Sequence, residues 1–236
     1  MKVIKTIGIT GANGALGKAL TKKFRNKGFK VIGFTTSKDK KDKNDKSPNT
    51  WVYWECGKEF LLKKYLQKID ILILNHGLYK KDNQNLEYAD SIQVNALSKF
   101  KIINLFEEVI LNNNSESTPK EIWINTSEAE ILPSLNPAYE ISKLLIGQIV
   151  TFKKNFLPES ERSNLKIRKI ILGPFKSNLN PIGLMNPSFV ANQIYLLSKL
   201  NFYLIIVSPN PFSYILFPLK EGYFFLYCNL LKLLKI

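Results

Sequence analysis

The stretch Thr10-Gly-Ala-Asn-Gly-Ala-Leu-Gly17 decides the fold of this chain. Residues 3–10 alternate and then turn apolar, which predicts a buried first strand, and residues 15–27 predict a helix that Gly28 ends. Glycines in such a turn let the backbone approach a pyrophosphate, and the free N–H groups of the helix start meet its charge. The stretch therefore predicts a dinucleotide site in a doubly wound parallel sheet, a Rossmann-type three-layer α/β/α fold.

The run Val31-Ile-Gly-Phe-Thr-Thr-Ser-Lys38 predicts the second strand and its exit. An Asp or Glu at that exit would bind the adenosine ribose hydroxyls and select NAD. Thr36, Ser37 and Lys38 stand there instead. Because hydroxyls and a lysine suit a 2′-phosphate, the sequence predicts NADP(H) rather than NAD(H). The lysine-rich run that continues to Lys46 is typical of a solvated loop.

Composition limits the class of protein. A chain of 236 residues suits one α/β domain. Two distant cysteines, Cys56 and Cys228, and a single histidine predict neither a disulfide scaffold nor a metal site. The first strand leaves no room for a signal peptide, so we expect a cytoplasmic protein. The net charge of +15 suits nucleic acid, an anionic membrane or a phosphate-bearing ligand. Since lysine occurs along the whole chain and no nucleic-acid motif occurs, we expect no nucleic-acid partner.

A second decisive stretch, Asn136-Pro-Ala-Tyr-Glu-Ile-Ser-Lys143, predicts the start of a helix. Asn136 can cap this helix and Pro137 suits its first turn. Tyr139 and Lys143 are four residues apart and so lie on one face, where the lysine charge favours the phenolate. Tyr139 is therefore a candidate acid or base. An ordinary amphipathic helix would explain this spacing equally well if it stood alone.

The spacing does not stand alone, because Asn75-His-Gly77, Asn95 and Ser127 occur between the two stretches. In this order the motifs resemble the short-chain dehydrogenase/reductase superfamily over about residues 3–207. Most of the chain looks like its single-domain branch, whereas the Gly-x-x-Gly-x-x-Gly spacing is commoner in its extended branch. The catalytic residues that the resemblance implies are Asn95, Ser127, Tyr139 and Lys143.

The resemblance also implies a role for each of these residues. Ser127 would bind the carbonyl oxygen, Tyr139 would transfer the proton, and Lys143 would hold the nicotinamide ribose. Asn95 would hold a water that links the lysine to solvent. Thr126 is the alternative hydroxyl, since the family's usual separation from the tyrosine matches it, but the Asn-x-Ser context favours Ser127 and a shortened loop.

Further cofactor contacts follow from the same resemblance. Asn75 would brace the central strands, Gly77 would leave room for the cofactor, and His76 would have a structural or cofactor-lining role. The segment Gly173-Pro-Phe-Lys-Ser177 resembles the one that meets the nicotinamide carboxamide. The residues expected to bind the cofactor are Gly11, Asn13, Gly14, Leu16, Gly17, Thr36, Ser37, Lys38, Asn75, His76, Gly77, Tyr139, Lys143 and Ser177.

The implied activity is NADP(H)-dependent reduction of a small-molecule carbonyl to an alcohol, or the reverse, by a homo-oligomer without a metal. An alternative from another class is a catalytically weak protein of this fold that senses the cofactor or binds a membrane. The other predicted elements are strands at 51–55, 69–77, 121–125, 167–172 and 202–207, and helices at 86–111 and 188–200.

The end of the chain is unusually apolar. We expect residues 1–207 to form the domain and residues 208–236 to form an apolar extension. Pro209, Pro211 and Pro218 predict that no simple spanning helix forms here. Two interpretations remain open. The extension packs on the core or on a second subunit, or it lies peripherally in a membrane interface through its aromatics and flanking lysines.

Overall fold

The protein is described by a computed structural model that covers residues 4–37, 47–79, 85–112, 119–156 and 164–234. Within these ranges seven strands form one sheet in the order β3-β2-β1-β4-β5-β6-β7, and every neighbouring pair is parallel. The strands are β1 Thr6–Thr10, β2 Lys30–Thr35, β3 Thr50–Tyr53, β4 Ile71–Leu74, β5 Lys120–Asn125, β6 Leu165–Leu172 and β7 Leu204–Val207. The α-helices are α1 Ala15–Arg25, α2 Lys63–Leu66, α3 Asn85–Ile92, α4 Ser98–Leu111, α5 Pro137–Phe156, α6 Pro187–Ser198 and α7 Ser213–Leu233.

Helices cover both faces of the sheet, which confirms the three-layer α/β/α prediction. One core joins α4 and α5 to the sheet through side chains such as Phe106 and Ile146. The other core joins α1 and α6 to the opposite face through side chains such as Phe24 and Ile194. Because helices cover both faces, the central strand β4, Ile-Leu-Ile-Leu, is apolar and buried along its whole length, as buried parallel strands usually are.

The strand order reverses beside β1, because the chain builds β2 and β3 on one side of it and then β4 to β7 on the other. In doubly wound sheets, ligands bind at the carboxyl ends of the strands on either side of such a reversal. The glycine turn follows β1 here and Asn75-His-Gly77 follows β4. The topology thus brings the two sequence motifs to one edge of the sheet.

Several boundaries differ from the predicted ones. The first helix ends at Arg25 rather than residue 27, and Gly28, with φ of +82°, lies in the turn that follows. The helix predicted at 86–111 is interrupted by a π-helical turn, Gln93–Leu97, between α3 and α4. The last strand begins at Leu204 rather than residue 202, since the left-handed Asn201 precedes it.

The apolar extension forms α7, and one face of this helix packs on the domain. The buried residues of that face are Ser213, Phe217, Glu221 and Cys228, and the helix contacts α5 and β7. Pro218 lies inside the helix without ending it, and the prediction that no simple spanning helix forms here is confirmed. The helices among the described residues include none that is both long and apolar enough to cross a bilayer.

Candidate active site

The glycine turn after β1 has the close packing that a nucleotide cradle requires. Gly11 adopts φ of +63°, and a Cβ there would lie 2.8 Å from Cα of His76. A Cβ on Gly17 would lie 2.1 Å from the carbonyl oxygen of Gly11, so the start of α1 rests directly on the turn. Gly14 precedes α1 without a side-chain cap. The backbone N–H groups in the first turn of α1 lack partners within the helix and therefore suit a diphosphate.

Asn75 braces three strands at this edge, as predicted. Its backbone N–H donates to Oγ1 of Thr10 at 2.9 Å, and its side-chain Nδ2 contacts the carbonyl oxygen of Gly11 at 3.4 Å. The side-chain oxygen accepts from Nδ2 of Asn125 at 2.9 Å. The ends of β1, β4 and β5 are thus tied together by side-chain amides and one hydroxyl.

His76 is buried against the sheet. Its Nδ1 lies 2.7 Å from Oγ1 of Thr10, and its ring meets the ring of Trp54 edge to face at 5.3 Å. Burial lowers the pKa of His76 well below its ordinary value, and the nearby charges of Lys99 and Lys143 lower it further. The contacts of the ring with Thr10 and Trp54 fit the structural role that was expected for this residue.

Tyr139 and Lys143 lie together at the start of α5. Oδ1 of Asn136 accepts a hydrogen bond of 2.8 Å from the backbone N–H of Tyr139, which confirms the predicted cap. Nζ of Lys143 lies 5.2 Å from the centre of the Tyr139 ring, and the ring of Tyr79 meets that ring edge to face at 5.3 Å. The helix therefore presents a phenol and an ammonium group side by side.

Gly77 opens the space beside this pair. A Cβ at Gly77 would lie 3.1 Å from Oδ1 of Asn95 and 3.8 Å from Nζ of Lys143. Any larger residue would fill the gap between the loop after β4 and α5. The glycine, the asparagine and the lysine thus border one small space next to Tyr139.

Asn95 lies fully buried in the π-helical turn. Its Nδ2 donates to the carbonyl oxygen of Leu78 and to Oγ of Ser142, both at 2.9 Å, and its Oδ1 accepts from the N–H of Leu78 at 2.7 Å. Both amide hydrogens are used by protein groups, so a water at Asn95 would have to bond its oxygen or the backbone of the turn. Such π-helical turns are rare in proteins, and those that occur are often found at functional sites.

The two candidate hydroxyls differ in what they bond. The Thr126 hydroxyl is buried and contacts the carbonyl oxygen of Ile170 at 3.2 Å. Oγ of Ser127 accepts from the N–H of Ala129 at 3.2 Å and donates to no group among the described residues. Its hydrogen is therefore available to a substrate oxygen. The geometry favours Ser127 over Thr126, and its catalytic role stays a prediction.

The other expected cofactor contacts lie around this edge with different degrees of access. Thr36 is exposed and Ser37 half-buried after β2, whereas Lys38 lies outside the described residues. Oγ of Ser177 accepts from the N–H of Asn180 at 3.1 Å within a short turn. The side chain of Leu16 is buried in the core, so only its backbone can meet a ligand. Asn13 remains half-buried in the glycine turn.

Sequence reasoning missed Lys99 at this site. Its side chain is fully buried, and its Nζ donates to the carbonyl oxygen of Asn125 at 2.6 Å. Burial lowers the pKa of Lys99 well below its ordinary value, and the charge of Lys143 adds to this effect. The one signal in the sequence is the spacing of Lys99 from Asn95. Residues four apart on a helix lie on the same face, so Lys99 would be expected to point toward the site as Asn95 does.

Comparisons with known proteins agree with this geometry. The family model of the NAD dependent epimerase/dehydratase family matches residues 7–151. The chain is 38% identical over 229 residues to monoglucosyldiacylglycerol epimerase of Synechocystis sp., covering 94% of this chain and 54% of that protein. It is 36% identical over 116 residues to the 3-oxoacyl-(acyl-carrier-protein) reductase FabG of Buchnera aphidicola, covering 42% of this chain and 46% of that protein. The chain spans about half the length of these curated relatives.

Solved structures share the fold at low identity. A short-chain dehydrogenase/reductase family oxidoreductase from Burkholderia thailandensis superposes with a TM-score of 0.69 at 16% identity, covering 88% of this chain and 92% of that one. The structure of BdcA in complex with NADPH gives a TM-score of 0.66 at 16% identity, covering 86% and 93%. At these identities the likeness concerns the fold alone.

Proposed function

The chain belongs to the NAD-dependent epimerase/dehydratase family within the short-chain dehydrogenase/reductase superfamily, and on that premise we propose that it epimerises the sugar of a glycosyldiacylglycerol. One observation carries the proposal. Tyr139 and Lys143 lie beside Gly77 and Asn95 in a chain that resembles monoglucosyldiacylglycerol epimerase over 94% of its length. The substrate is proposed from that relative's name, and the chemistry from the residues at the site.

The proposed reaction inverts one carbinol carbon of the sugar without net oxidation. A carbinol becomes a ketone when its C–H bond releases a hydride and its O–H bond releases a proton. Return of the hydride to the other face and of the proton to the oxygen gives the inverted alcohol. A nicotinamide nucleotide, when bound, supplies the reversible hydride exchange at that carbon.

Residues of this chain would handle the proton and the oxygen. Tyr139 takes the hydroxyl proton as the ketone forms and returns it after inversion, and Nζ of Lys143 lies beside its ring at 5.2 Å from the ring centre. Ser127 donates its hydrogen to the reacting oxygen, where partial negative charge develops. Asn95 holds the loop after β4 against α5 and so keeps Gly77 next to the lysine.

The same edge would hold the cofactor. The packed glycine turn and the uncapped start of α1 suit its diphosphate, Lys143 suits the nicotinamide ribose, and Ser177 suits the carboxamide. NADP(H) is favoured over NAD(H) because no acidic residue occurs from Lys30 to Ser37. The hydroxyls of Thr36 and Ser37 would then face the 2′-phosphate.

One-way reduction of a carbonyl with NADPH is the second candidate. The similarity to a 3-oxoacyl-(acyl-carrier-protein) reductase and the acid-free exit of β2 favour it. An epimerase needs only catalytic amounts of cofactor, whereas a reductase consumes one NADPH per product. The two functions therefore differ in stoichiometry.

Two incubations, one with the glycolipid and one with ketone substrates and NADPH, separate the two candidates. The chain is mixed with monoglucosyldiacylglycerol in detergent micelles and a trace of NADP⁺, and the released sugar is identified by chromatography. Inversion of the sugar with no lasting change in nicotinamide absorbance supports the epimerase. If the sugar stays unchanged while NADPH is consumed with ketone substrates, the epimerase proposal is wrong and the reductase stands.

A further inference from the structure

The outward face of α7 carries an unbroken apolar stripe. Its residues follow helical spacing and are between 51% and 81% exposed, namely Ile215, Leu219, Tyr223, Leu226, Leu230 and Leu233. They lie about opposite the buried Phe217, Glu221 and Cys228, since 100° separates successive residues of a helix. The helix is thus apolar on two faces, and the domain covers only one of them.

We infer that this outer face binds the surface of a bilayer containing anionic lipid. A protein of net charge +15 is attracted to such a surface, whereas a second copy of equal charge is repelled. Six apolar side chains along about five helical turns match helices that lie in the interface plane. The one described acidic residue of the helix, Glu221, faces the domain, so no carboxylate interrupts the stripe.

The site lies within reach of this helix. The first residue of α7, Ser213, donates a hydrogen bond to Glu128, which directly follows Ser127. Bilayer attachment through α7 would therefore hold the catalytic edge near the membrane. If the proposed function holds, a lipid-linked sugar would reach Tyr139 without leaving the bilayer surface.

Vesicle binding tests the surface without any need for activity. The full chain is sedimented with vesicles of phosphatidylcholine containing 30% phosphatidylglycerol, and with phosphatidylcholine alone. We expect binding to the anionic vesicles that weakens in high salt, and a loss of about 100-fold or more in Leu219→Gln/Leu226→Gln/Leu230→Gln. The control Phe60→Gln/Leu61→Gln removes exposed apolar groups from the 3₁₀ turn Glu59–Leu62, which follows β3 and contacts α2 and α4 rather than α7, and should bind normally.

Other outcomes overturn the inference. An intact chain that never binds anionic vesicles contradicts it, as does a triple variant that binds as well as the parent. A dimer that the triple substitution dissociates, without vesicle binding by the parent, would show a second copy as the occupant. If circular dichroism shows that the triple variant is unfolded, vesicle binding by the single variant Leu226→Gln is compared with that of the parent instead. Epimerase activity without vesicle binding would leave the proposed function standing.

A different set of contacts assigns Glu128 as a positioning residue for Ser127. Ser127 begins a 3₁₀ turn, Glu128–Glu130, through the bond from the N–H of Ala129 to its Oγ. The carboxylate of Glu128 accepts hydrogen bonds from the hydroxyls of Ser208, after β7, and Ser213, in α7. The carboxylate thus ties the 3₁₀ turn to the end of β7 and to the start of α7. Because Ser127 begins that turn, these bonds fix the position of its hydroxyl.

Amide exchange and kinetics test this second assignment, which rests on the proposed role of Ser127. Glu128→Ala should speed hydrogen exchange over residues 127–130 and lower kcat about tenfold or more, with the Kd for cofactor unchanged. Glu128→Gln keeps an acceptor oxygen and should restore most of both. Unchanged exchange in Glu128→Ala contradicts the assignment even if the parent lacks activity. If the parent is active, Glu128→Ala with faster exchange but an unchanged kcat also contradicts the assignment.

Discussion

Replacement of Lys169 by methionine should loosen α7 from the domain. Nζ of Lys169 is fully buried in β6, 2.7 Å from Oε2 of Glu130 and 2.8 Å from Oε1 of Glu221. It also donates to the carbonyl oxygen of Gly147 at 2.9 Å. Glu221 belongs to α7 and Gly147 to α5. This one ammonium group therefore joins the sheet, the turn after Ser127 and two helices.

The cost of Lys169→Met follows from what the cluster loses. Methionine keeps most of the apolar stem, so the main change is that two buried carboxylates lose their shared cation. Removal of one partner from a buried pair costs about 3–5 kcal/mol. Lys220 lies 3.3 Å from Glu130 and still compensates that carboxylate in part. We therefore expect a loss near the lower end, about 3 kcal/mol.

Urea unfolding followed by circular dichroism measures this loss. The control is Lys58→Met, which removes an exposed pair with Glu55 whose side chains are 60% and 42% accessible and should therefore cost far less stability than Lys169→Met. Lys169→Met/Glu221→Met should recover part of the loss, because the carboxylate of α7 is then gone as well. A Lys169→Met protein within about 1 kcal/mol of the parent would refute the account of how α7 is held.

Three further predictions concern the site. Because burial lowers the pKa of Lys99 below 10.5, the unfolded chain binds a proton there that the folded chain does not. The free energy of unfolding should therefore rise with pH, by up to about 1.4 kcal/mol per pH unit, between that lowered pKa and about pH 10. Urea unfolding at pH 7.5 and at pH 9 measures this rise, which should be smaller in Lys99→Met than in the parent. Ser127→Ala should lower kcat by about 100-fold or more and Thr126→Val far less, with equal losses contradicting the choice of hydroxyl. Thr36→Asp should weaken NADPH binding relative to NADH in fluorescence titrations, and tighter NADH binding by the parent would contradict the predicted NADP(H) preference.

The parts of the fold that could be read from sequence are those set by local chemistry. The glycine turn, the apolar strands and the Asn136 cap each follow from backbone conformation, burial on both faces or a side-chain oxygen at a helix start. The spacing of Gly11, Gly14 and Gly17 predicts a nucleotide-binding turn, and this turn lies within the residues that the epimerase/dehydratase family model matches.

The remaining features depend on contacts between distant residues. The π turn at Asn95 forms where its amide reaches Leu78 and Ser142, which no local pattern indicates. Lys99 and Lys169 are fully buried although lysines ordinarily predict a solvated surface, because carbonyl oxygens or carboxylates from other elements meet them. Propensity alone would likewise not place a proline inside α7, where packing against the domain keeps the helix intact.

The path of one hydrogen tests the central claim, that Tyr139 supports inversion by hydride exchange at the sugar. Monoglucosyldiacylglycerol deuterated at every sugar C–H position is incubated with the chain and catalytic nicotinamide nucleotide in ordinary water. The account predicts an inverted sugar that keeps all of its deuterium, and no inversion by Tyr139→Phe. An inverted sugar that has exchanged one deuterium for solvent hydrogen, or a Tyr139→Phe protein that inverts at the normal rate, would contradict it.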